Sequence, residues 1–161
     1  MRALPIIALI PRAAPSVPGT VVRHHLDDIA THALDAVELP PGLTTINLTA
    51  DPPPVAAGAA GDTRAQTRLL LTAMEARLRR LGLELGDVIR VRVFLAADPA
   101  HDGRMDLDGF DAAWRGFFGR TRQPGLPLRS VTPVAGLAEP GWLVEIEATA
   151  VRPPAADPAP H

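Results

Sequence analysis

Arg129 and Glu145 are the two side chains whose placement invites chemistry. Arg129 follows Pro124-Gly125-Leu126-Pro127-Leu128, a rigid approach that would hold its backbone. Its guanidinium fork suits a carboxylate or a phosphate. Glu145 belongs to the next strand along the chain, where a carboxylate can orient or deprotonate a water. The same two residues also read as an ordinary cross-strand ion pair worth about 0.2–1 kcal/mol, and spacing alone favours that reading. His24, His25 and His32, with Asp27 and Asp28, are candidate metal ligands. Adjacent histidines are not a ligand spacing on a helix or a strand, and nothing fixes a third partner, so no metal site is assigned. His101, in the run Ala96-Ala97-Asp98-Pro99-Ala100-His101, reads as a solvated loop residue. Gly58-Ala59-Ala60-Gly61 lacks the spacing of a phosphate cradle.

Absent residue types narrow the chemistry further. The 161-residue chain has no cysteine, no lysine and no tyrosine, and all 16 of its basic side chains are Arg. Thiolate nucleophiles, disulfides, Cys-bound zinc, Schiff-base lysines and phenolic acids are excluded. Ser16 and Ser130 are the only serines, which leaves little room for a Ser–His–Asp hydrolase. A net charge of −2 without a basic run, and 4% aromatic residues, argue against nucleic acid as the main partner. The length fits one domain with tails, and no apolar segment reaches the roughly 18–20 residues of a membrane span.

These side chains need elements to position them. Residues 1–19 read either as a secretory signal or as an edge strand, Leu4–Ile10, leading into a Pro-rich arm; the short apolar run interrupted by Pro5 favours the strand and a cytoplasmic protein. Val37–Leu39 and Leu43–Leu48 read as short strands around a Pro-Pro-Gly turn. Thr63-Arg64-Ala65-Gln66 reads as a capping box with Thr63 as N-cap, opening a helix whose stripe is Leu70, Met74, Leu78 and Leu81 and which stops at Gly82. Val88–Leu95 alternates as a strand. A second helix is expected over about Gly109–Phe118, with Phe110, Trp114, Phe117 and Phe118 as core. Arg129–Val134 and Trp142–Val151 complete a β-β-α-β-α-β-β order, an α+β sandwich with two helices on one sheet face. The other face carries Arg90, Arg92, Glu145, Glu147 and Thr149, and solvent is the ordinary occupant of such a face.

The second half resembles the RidA/YjgF family of reactive-imine deaminases. The carriers are Gly82-Leu83-Glu84-Leu85-Gly86-Asp87-Val88, Pro127-Leu128-Arg129-Ser130 and the closing strand Val144-Glu145-Ile146-Glu147-Ala148-Thr149-Ala150-Val151, with Gln66 where the family's first helix has its Gln. The resemblance spans about Val37 to Arg152. It implies a chorismate-mutase-like α+β fold with a mixed, mainly antiparallel sheet. It implies a homotrimer with helices outside, which would bury the Glu145 face. The chain is expected to divide into an N-terminal strand and Pro-rich arm (1–34), a RidA-like domain (35–152) and a tail (153–161) whose composition reads as disordered. Ligand sites would lie between subunits. Arg129 would hold the carboxylate of a small 2-imino acid, the backbone of Val131 would assist, and Glu145 would place water on the imine carbon. No cofactor, metal, nucleic acid or membrane is implied.

The first half departs from the family pattern. Leu48-Thr49-Ala50 stands where the family has Ser-Gly-Gln, Asp35 falls near the position of its substrate-proximal Tyr, and Val131 replaces a frequent Cys. These positions line the implied cleft and bear on substrate identity. Two alternatives to imine hydrolysis follow: a related enzyme of a specialised biosynthetic pathway acting on another imine, enamine or keto-acid intermediate, and a non-catalytic trimeric binder of small molecules.

Overall fold

A computed structural model describes residues 20–25, 34–50, 61–121 and 125–152. Along these residues run β1 (Val22–His24), β2 (Ala36–Glu38), β3 (Thr44–Ala50), α1 (Thr63–Arg80), β4 (Val88–Ala96), α2 (Leu107–Trp114), β5 (Leu128–Val134) and β6 (Val144–Arg152). The expected order holds from β2 onward, and β1 is an added strand. The Leu4–Ile10 strand, the Pro-rich arm and the 153–161 tail lie outside the described residues.

The alternating sequences of β4 and β6 make them the centre of a four-stranded sheet ordered β3-β6-β4-β5. All neighbours are antiparallel except β4 and β5, which are parallel. β5 is therefore an edge strand, which is where Pro133 can sit without breaking the ladder. Val91, Val93 and Leu95 pair with Ala148, Ile146 and Val144, and this face is fully covered. It packs against Leu70, Leu71, Met74 and Leu78 of α1 and Phe110 and Trp114 of α2. Each large side chain so buried contributes about 1.5–3 kcal/mol.

The ends of α1 are set by local chemistry. Asp62, not Thr63, is the N-cap: its Oδ1 accepts from the Ala65 amide at 2.7 Å, and Thr63 is already the first helical residue. Both residue types can cap, and the Asp carboxylate also meets the positive end of the helix dipole. Gln66 is consequently free of any capping box. Its buried amide donates to Gly61 and Gly141 carbonyls and accepts from the Leu143 amide at 2.8 Å, tying α1 to the start of β6. At the other end, Gly82 (φ +70°) donates to Arg79 and Leu83 donates to Leu78, a Schellman arrangement.

The two short strands expected around the Pro-Pro-Gly turn are present, and two further expectations are corrected. β2 and β3 flank their turn, but they join different sheets: β2 pairs with β1, and β3 with β6. α2 begins at Leu107, because the Asp106 carboxylate accepts from the Gly109 amide and caps it two residues earlier than expected. A Cβ at Gly109 would collide with that carboxylate, which accounts for the glycine inside a helix. Helix α2 also ends at Trp114, so Phe117 and Phe118 pack from the turn that follows. The small β1–β2 sheet is fastened by Arg23, whose guanidinium donates to the carbonyls of Leu126, Gly86 and Val88. Burial lowers the pKa of Arg23, and Asp87 opposes that shift.

Candidate active site

Arg129 pairs with Val91 in the β4–β5 register, so its side chain leaves the sheet on the helix-covered face. Because β5 is the edge, the guanidinium emerges where that cover ends, against α2. Its Nη1 donates to Asp111 Oδ1 at 2.6 Å. Its Cζ lies 5.5 Å from the ring centre of Phe110 and 5.2 Å from that of Trp114. Such cation–ring contacts favour Arg over any other cation. Only 14% of the Arg129 side chain and 22% of the Asp111 side chain are exposed. Phe110 and Trp114 were legible as core; their second use, as the surface on which Arg129 rests, was not. Val131 stands two residues on, opposite Val93, with its side chain against the core and its backbone on the edge strand.

Glu145 is half-buried on β6 opposite Phe94 of β4. That register puts it on the other face of the sheet from Arg129, with β4 between their strands. Two strand spacings and a three-residue offset separate their Cα atoms by about 14 Å. The cross-strand ion pair that spacing favoured is thereby excluded within one chain. Among the described residues that face carries an Arg92–Glu147 ion pair at 3.1 Å, and Arg92 also covers the Phe94 ring. Thr149 donates to Asn47 Oδ1 beside it. A cavity of about 330 Å³ opens here, lined by residues including Thr49, Arg90, Arg92 and Glu147.

The departures from the family pattern flank these positions. Ala50 ends β3 opposite Ile146, one residue from Glu145. Asp35 precedes β2 and donates its amide to the His24 carbonyl. His24 itself approaches Glu38 at 3.6 Å across the β1–β2 pair, while Asp27, Asp28 and His32 lie outside the described residues. His101 is not a bare loop residue: its two ring nitrogens lie 3.1 Å from Asp98 and 3.8 Å from Asp106. Those carboxylates already serve as caps, Asp98 for the Pro99–His101 turn and Asp106 for α2. Asp111 is the site residue that the sequence reading missed. A single Asp on an amphipathic helix carries no local signal, since its partner comes from a strand 18 positions away.

Comparison with known proteins places the chain in a family. Residues 53–152 match the Endoribonuclease L-PSP family, and the chain belongs to this family, which is also known as YjgF or Rid. Among solved structures it is similar to Yersinia pestis YyfB of the conserved Rid protein family (26% identity, 81% of this chain and 97% of that one, TM-score 0.56). It is similar also to the Escherichia coli YjgF gene product (30% identity, 67% and 80%, TM-score 0.53). A third is Escherichia coli TdcF with bound serine (27% identity, 67% and 80%, TM-score 0.54). A search of the curated proteins finds no match. Among the described residues, no helix is long and apolar enough to cross a membrane.

Proposed function

We propose that the protein hydrolyses 2-imino or enamine acids to 2-keto acids and ammonia, without a cofactor, in clefts between the subunits of a homotrimer. The observation that carries this reading is the guanidinium of Arg129, fixed at the sheet edge by one Nη1 bond and two aromatic rings. A cation so held is ready for a substrate carboxylate, which TdcF's bound serine also possesses. Since Glu145 lies on the opposite face, the catalytic pair joins Arg129 of one subunit to Glu145 of another.

Arg129 would bind the carboxylate and orient the substrate, with the Val131 backbone alongside on the edge strand. Glu145 would take a proton from water as its oxygen bonds to the electrophilic imine carbon. Glu145 then returns that proton to the nitrogen of the carbinolamine, and as the C–N bond breaks and ammonia leaves, it takes up the hydroxyl proton while the keto group forms. General-base action and positioning each contribute on the order of 10²-fold or more.

A coupled assay tests this reading. An amino-acid oxidase or threonine dehydratase generates imines in situ, and keto-acid formation is followed. The wild-type protein accelerates it, and Arg129→Ala and Glu145→Ala each lose about 10²-fold or more. Undiminished activity in both variants would overturn the assignment.

A further inference from the structure

We propose that the groove between α1 and α2 is a second binding site, and that it takes a small molecule carrying two or more phosphate groups. The groove has a volume of about 700 Å³, the size of a small-ligand site. One wall is a single face of α1: Arg64, Arg68, Glu75 and Arg79 follow at steps of four, seven and four residues, which return to the same side of a helix. The other wall belongs to α2 and the turn after it. There Ala112, Ala113 and Gly116 leave room that longer side chains would fill. None of the lining residues belongs to the Arg129 and Glu145 site.

The charge of this groove is one-sided. The guanidinium groups of Arg64, Arg68, Arg79 and Arg120 line it, against the carboxylates of Glu75 and Glu84. Glu75 is already engaged by Arg79, whose Nη2 donates to Oε1 at 2.6 Å. Arg64, Arg68 and Arg120 have no hydrogen bond or ion pair among the described residues. Arg64 and Arg68 stand one turn apart, with about 5–6 Å between their Cβ atoms, so their like charges repel along the helix. Arg64 also lies in the first turn, which holds no acid, where the helix dipole disfavours a cation. Stability alone would put other residues at both positions, and an anion bound across them removes both costs. Adjacent phosphates of one ligand bring a charge to each fork, and a guanidinium grips phosphate through two parallel N–H bonds. A lone phosphate engages fewer of the three unpaired guanidinium groups.

Calorimetric titration of the full chain at low ionic strength with inorganic tripolyphosphate, orthophosphate and a Glu-rich decapeptide tests the proposal. The wild type is expected to bind tripolyphosphate about tenfold or more tightly than either of the others. The double variant Arg64→Gln/Arg68→Gln keeps good helix formers and should lose about tenfold or more of that affinity. Ala112→Phe, which fills the groove and leaves every charge in place, should weaken binding as well. Arg80→Gln/Arg104→Gln removes the same charge outside the groove and should bind as the wild type does. Any of four results overturns the proposal: a wild type that does not bind tripolyphosphate, a wild type that prefers the decapeptide, undiminished binding by Arg64→Gln/Arg68→Gln, or an equal loss in Arg80→Gln/Arg104→Gln. Melting curves check that the double variant is folded, and Arg68→Gln alone serves in its place if it is not, with the same outcomes.

Discussion

The face of the main sheet that carries Val91, Val93, Ile146 and Ala148 is closed by α1 and α2, whereas no helix among the described residues closes the face that carries Arg92, Glu145, Glu147 and Thr149. Both are written in the same strands, one residue out of phase. The closed face holds the fold together. The open face is half-buried by its own cross-strand contacts, Arg92 with Glu147 and Thr149 with Asn47. Arg129 obeys the parity of the closed face yet its guanidinium reaches the edge of the helix cover, where the proposed site lies, because β5 is where that cover runs out. Position within the sheet, as much as side-chain type, decides whether a residue becomes core or site.

The contrast can be tested by removing side chains from each face. Ile146→Ala, on the closed face, should cost about 2–5 kcal/mol in denaturant unfolding; a loss near zero would mean that this face is not the core. Gln66→Ala removes the link between α1 and the loop before β6 and leaves the Leu143 amide unpaired. A loss of about 1–3 kcal/mol is expected, with hydrogen exchange at Leu143 accelerated. Unchanged exchange there would break the account of how α1 is seated. Glu147→Ala on the open face should cost under about 1 kcal/mol in a dissociated chain, the usual worth of an exposed pair. Light scattering sharpens the result: if copies assemble through this face, the variant's dissociation moves to higher concentration while its monomer stability holds.

Much of the fold was legible because it rests on local periodicity. Leu70, Met74 and Leu78 announced α1, and the alternation through Val91 and Ile146 announced β4 and β6. What sequence did not show was non-local. Asp62 and Thr63 are both competent caps, and only the path of the chain into α1 chose between them. Nothing near Val22 states that it pairs with Glu38, or that β5 would dock parallel on β4 and leave Glu145 a strand away. The motif around Arg129 located the candidate cation. Its setting, Asp111 beneath and two rings beside, depends on how α2 packs across β5 and had no local signature.

The central claim is that one catalytic centre takes Arg129 and Glu145 from different chains, because one chain puts them on opposite faces. Arg129→Ala and Glu145→Ala proteins, each expected to lose about 10²-fold or more alone, are mixed, dissociated, reassembled and assayed for imine hydrolysis. The account predicts recovery to about one quarter of wild-type activity, the share of randomly assembled clefts that keep both residues. No recovery from reassembled mixed oligomers would contradict it, since two residues drawn from the same chain can never be reunited by exchange.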